Sequence, residues 1–140
     1  MGEAAAKQVV VLACSGIGKT WGALARETAY ELVERVRPGA ARQICLPLLV
    51  IKDPEATRLV MEHPVITLDG CPKACARKSV EALGKKVEHP AETIQFYTAH
   101  RELKPEGVAQ LNAAGLKLAH VAADELAAVV DRLAAGEKTK

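Results

Sequence analysis

Four cysteines, Cys14, Cys45, Cys71 and Cys75, are the residues in this chain whose type and placement best suit chemistry. Cys71 and Cys75 belong to Asp69-Gly70-Cys71-Pro72-Lys73-Ala74-Cys75, where a helix starting near Pro72 would turn both sulfurs to one side. In a reducing compartment such cysteines act as metal ligands or reactive thiols rather than disulfide partners. The plainer alternative is buried thiols behaving as small hydrophobes. Zinc suits the set, being borderline soft and taking four sulfurs tetrahedrally; an iron–sulfur cluster would use the same ligands. Four thiolates around Zn²⁺ carry surplus negative charge, and Lys19, Lys73, Arg77 and Lys78 stand close in sequence to offset it. A second reading makes the protein a thiol-based redox or sulfur-handling enzyme using Cys71 and Cys75. Its motive is Cys71 at a helix start beside Lys73, which favours the thiolate.

A third reading starts from Ala13-Cys14-Ser15-Gly16-Ile17-Gly18-Lys19-Thr20, which ends like a phosphate-binding loop. That pattern needs glycine where Ala13 stands, and the strand before Asp69 offers Mg²⁺ no acidic residue except Asp69 itself. Binding of a nucleotide or simple anion by residues 13–20 stays open. The alternative is a glycine-rich turn that lets the chain pass close to Cys14, with Lys19 balancing its charge. Ser15 reads as a turn or cap residue rather than a nucleophile. Asp69 either orients a ligand or caps the next helix, and capping is the favoured role. The four histidines show no paired ligand spacing, and none stands placed as a base for a cysteine.

The elements that must position these side chains alternate between strand and helix. Residues 8–13 form a β-branched apolar run ending at Cys14, as a buried parallel strand does. Helical spacing then runs over 18–36, with Glu31 four before Arg35, until Pro38-Gly39 stops it. A short strand is expected over 43–46, interrupted by Pro47. Asp53-Pro54 opens a helix to about Glu62. Residues 65–68 form a strand, 73–83 a helix and Gly84 its C-cap. Further strands are expected at 86–88, 93–97 and 116–121, and helices at 105–114, closed by Gly115, and at 124–134. Alternation of this kind predicts a three-layer α/β/α domain with a mostly parallel sheet, spanning 8–135 between flexible ends at 1–7 and 136–140. In a parallel sheet Cys14 and Cys71 then share the C-terminal rim, and Cys45 lies near it.

Composition excludes other classes. With 19 basic and 17 acidic residues the charge is nearly balanced, which argues against a nucleic-acid or membrane footprint. One Trp, two Tyr and one Phe provide no stacking platform for bases. The apolar run from Val9 to Cys14 is far too short to span a bilayer, and the N-terminus lacks the features of a secretory signal. A cytoplasmic location is the expectation, with a metal ion as the only partner suggested.

The stretch from Asp69 to Lys78, with Cys14-Ser15-Gly16 upstream and Cys45-Leu46 between, resembles the DGC-domain family, named for its central Asp-Gly-Cys. The resemblance is close over roughly residues 8 to 84 and loose beyond. It implies a zinc-binding protein with Cys14, Cys45, Cys71 and Cys75 as chelating residues, and it supplies no reaction.

Overall fold

The structure, a computed structural model, describes residues 7–14 and 16–136. Ser15 and the terminal stretches 1–6 and 137–140 lie outside the described residues. The apolar runs expected to be strands form β1 (Val9–Ala13) and β3 (Val65–Asp69), paired in parallel with Val10 opposite Val65 and Ala13 opposite Leu68. β2 (Ala41–Gln43) flanks β1, and β4 (His89–Glu92) flanks β3, giving the order β2-β1-β3-β4 with every pairing parallel. Pro90 sits within β4, where the free edge tolerates its missing N–H.

The period-two alternation of the central strands sends side chains to two separate cores. Val9, Val11, Ile66 and Leu68 pack under α1 (Thr20–Tyr30) and α6 (Ala113–Ala134). Val10, Leu12 and Val65 face α2 (Leu46–Val50), α3 (Pro54–Glu62) and α4 (Cys75–Glu81). The three-layer α/β/α arrangement with a parallel sheet is therefore present. Each central Val, Ile or Leu removed from water contributes about 1.5–3 kcal/mol, so these two strands hold the sheet together. A third cluster joins Trp21 and Leu24 of α1 to Phe96 and Tyr97 of α5 (Thr93–Ala99) and to Leu118 of α6. The Trp21 and Tyr97 ring centroids are 5.8 Å apart.

Several local expectations hold. Asp53 caps α3, its Oδ2 accepting from the Ala56 N–H at 3.0 Å. Arg35 bonds Glu31 one turn back and also reaches Asp124. The helix expected over 18–36 begins at Thr20 and changes to a π-helical turn over Glu31–Val36, where Arg37 N–H donates to Leu32 at 2.9 Å. No helix among the described residues is long and apolar enough to cross a membrane.

Other expectations are corrected. Residues 93–97 are helical, in α5, because Phe96 and Tyr97 pack against α1 at helical spacing from Thr93, whose Oγ1 donates to the Trp21 carbonyl at 3.0 Å. The expected helix over 105–114 and strand over 116–121 give way to a loop and the first turns of α6. Asn112 starts that helix by accepting from Gly115 N–H at 2.8 Å, so Gly115 opens a helix instead of closing one. The strand near Cys45 ends earlier, at Gln43, and Pro47 belongs to the first turn of α2. The fourth strand lies at 89–92 rather than 86–88.

Candidate metal centre

The strand order reverses direction between β1 and β3, so the crevice outside their carboxyl ends is the switch point where doubly wound sheets bind ligands. Cys14 follows β1 directly, and its N–H donates to the Leu68 carbonyl at 2.9 Å, which extends the ladder by one residue. Gly70 and Cys71 follow β3 in the adjacent position. A cavity of about 200 Å³ opens there, lined by Cys14, Lys19, Leu46, Asp69, Cys71 and Cys75, with Gly16 and Gly70 in its backbone wall. Three of the four cysteines are thus brought to one cavity by a strand pair and two turns.

Close backbone contact sets this geometry. A Cβ added to Gly70 would meet the Gly22 nitrogen at 2.7 Å, and one added to Gly16 would overlap Gly22 Cα outright. Gly16 also adopts φ +61°, which glycine reaches without strain. Glycines at 16, 22 and 70 therefore let both cysteine-bearing turns close onto the first turn of α1. Gly22 was not singled out from sequence, although a glycine inside a helical stretch costs about 1 kcal/mol against alanine and so marks a packing constraint.

The helix carrying Cys75 begins at that residue, two positions later than the sequence suggests. Cys71 instead opens a turn in which its carbonyl accepts from Ala74 N–H at 3.0 Å, while Ala74 takes the left-handed conformation at φ 52°. This turn, rather than a helical repeat, brings Cys71 and Cys75 to one side. It also removes Cys71 from the helix start that motivated the redox reading. Asp69 is buried and spends both oxygens on the opening of α4, Oδ1 accepting from Ala76 N–H at 2.7 Å and Oδ2 from Arg77 N–H at 3.1 Å. Capping is therefore its role. Burial pushes the Asp69 carboxyl up, against the lowering effect of those two bonds and of Arg77.

The remaining expected residues separate. Cys45 precedes α2 as an exposed residue and lines a neighbouring depression of about 150 Å³ with Arg42, Asp53 and Glu55, while the next residue, Leu46, enters the cysteine cavity. Lys19 is exposed and lines the cavity from the N-cap of α1; Lys73 is exposed on the turn and is absent from the lining. Burial raises the Cys14 thiol, a Gly70 hydrogen bond opposes this, and the charges of Asp69, Cys75 and Cys71 raise it further.

The donor chemistry of three thiols around one cavity fits a soft or borderline cation. The thiols line the walls without meeting: among the described residues no three His, Cys, Asp or Glu side chains form a ready-made chelate. Nucleotide chemistry is less well served. Thr20 Oγ1 donates to the Gly107 carbonyl at 2.8 Å, and Asp69 has committed both oxygens to backbone, so the two groups a P-loop site would offer Mg²⁺ are engaged elsewhere.

The family model for the DGC domain matches residues 10–114, three-quarters of the chain and well beyond the Asp-Gly-Cys segment. No curated protein and no solved structure matches.

Proposed function

The chain belongs to the DGC-domain family, and we propose that it binds one zinc ion at the switch point of its sheet through Cys14, Cys45, Cys71 and Cys75. The observation that carries this reading is the gathering of Cys14, Cys71 and Cys75 on one cavity by segments that follow two different strands. Inert core cysteines would have no reason to face a common opening. Cys45, directly before the wall residue Leu46, supplies the fourth thiol. Bound zinc would hold sulfur ligands in their deprotonated form and tie the three segments together.

This chain's own residues would divide the work. Gly70 donates a backbone hydrogen bond to Cys14, which favours its thiolate. Asp69 fixes the start of α4 and with it Cys75. Lys19, in the cavity wall, offsets the negative charge of the thiolates. Elemental analysis of protein purified anaerobically under reductant tests the reading. Stoichiometric zinc and a colourless solution are expected. A visible absorption band with iron would replace zinc by a cluster, and four freely titrating thiols without metal would overturn metal binding.

A further inference from the structure

Cys45 differs from the other three cysteines in the cavity it lines and in what holds its backbone, although Cys75 is exposed as well. Cys14 is half-buried and hydrogen-bonded into the β1–β3 ladder, and Cys71 and Cys75 are fixed by the Ala74 turn and by Asp69. Cys45 hangs between the three-residue edge strand β2 and the five-residue helix α2, exposed, and lines a different depression. The cavity, about 200 Å³, also far exceeds the roughly 10–15 Å³ that a single water needs on the same measure, so there is room beside a metal ion for another donor.

Resting on the zinc reading above, we infer that Cys45 is an exchangeable ligand: Cys14, Cys71 and Cys75 retain the metal, and its fourth position passes between Cys45 and a thiolate donor from outside. Exchange breaks the bond from zinc to the Cys45 sulfur and forms one to the incoming sulfur. The incoming thiol releases its proton to solvent, and Cys45 takes one up, so no electron is transferred and no oxidant is required. The site then delivers or receives zinc instead of only fastening the fold.

The test uses the full chain, reduced and anaerobic, loaded with Co²⁺ as a spectroscopic stand-in and with Zn²⁺ for affinity. Cys45→Ser, at an exposed position, should still bind one metal ion, with affinity lowered by no more than about tenfold, roughly 1.4 kcal/mol. Cys71→Ser should lose more than about a hundredfold. Adding 2-mercaptoethanol to cobalt-loaded Cys45→Ser should restore the wild-type sulfur-to-cobalt charge-transfer intensity. In the zinc-loaded wild type it should speed transfer to a chromophoric chelator in proportion to thiol concentration. Loss of metal from Cys45→Ser as complete as from Cys71→Ser, or a spectrum and transfer rate indifferent to thiol, would refute exchange and leave the four-cysteine zinc site standing. Absence of metal from the wild type as well would remove both. Cys45→Ala, compared by circular dichroism, separates ligand loss from misfolding.

Discussion

Gly70 and Gly22 touch through their backbones, and a Cβ on Gly70 would stand 2.7 Å from the Gly22 nitrogen. This contact docks the Cys71 turn onto α1, which in turn abuts Gly16 beside Cys14. It makes Gly22, in the first turn of α1, a determinant of the cysteine cavity.

Replacing Gly22 by alanine should therefore destabilise the protein. In an ordinary helix the change would gain about 1 kcal/mol from propensity. Here the new methyl overlaps Gly16, and overpacking of this kind costs about 1–3 kcal/mol, which outweighs the gain. Urea unfolding should show a lower midpoint, and affinity for the proposed zinc ion should fall with it because the two turns are forced apart.

Asp69→Ala should lower stability by about 1–3 kcal/mol, since it leaves the Ala76 and Arg77 N–H groups without their acceptor in a buried setting. Asp69→Asn should lie between, because one amide oxygen can replace only one of the two acceptors. Thermal melts of the metal-free forms isolate this capping role from any effect on metal.

Ala74 separates two roles of the turn. Its left-handed backbone costs about 1–2 kcal/mol for an L-residue. Relief of that cost in Ala74→Gly opposes the loss of a buried methyl, about 0.8 kcal/mol, and glycine's greater freedom when unfolded. The net change should stay within about 1 kcal/mol. Ala74→Val, with a branched Cβ in the same conformation, should lose clearly more and should weaken the proposed metal binding by displacing Cys71 from Cys75.

His89, half-buried in β4, has its pKa held below 6.5 by burial, with the charge of Arg132 acting in the same direction. The unfolded chain takes up a proton near pH 6.5, before the folded one does. Stability should therefore fall as pH drops below that point, and it should recover as pH rises. His89→Gln, which cannot be protonated, should flatten the dependence between pH 7.5 and 5.5 when unfolding is followed by circular dichroism.

The sheet centre was legible because β1 and β3 are continuous apolar runs bounded by turn residues, and α3 because Asp53-Pro54 is a local start signal. The rim assignment of Cys14 and Cys71 followed from those strands alone. The C-terminal third misled for a specific reason. Gly115 has the sequence signature of a helix stop, whereas its N–H is what Asn112 captures to start α6. Leu116 and Leu118 mimic strand alternation, yet Leu116 is exposed, and burial continues at 118, 119, 122 and 123 with the helical period. Cys45 could not be placed from local pattern, because its direction depends on where the edge strand stops and α2 begins.

Edge and centre also differ in how readily they come undone. Freeing Cys14 from Cys71 means breaking the ladder that runs through the middle of both cores, an opening close to global unfolding, whereas β2 can detach by releasing three residues on an open flank. Amide hydrogens at 41–45 should accordingly exchange with solvent faster than those at 66–68. The chain is thus divided into a slow-opening half of the site and a fast-opening half within a single sheet.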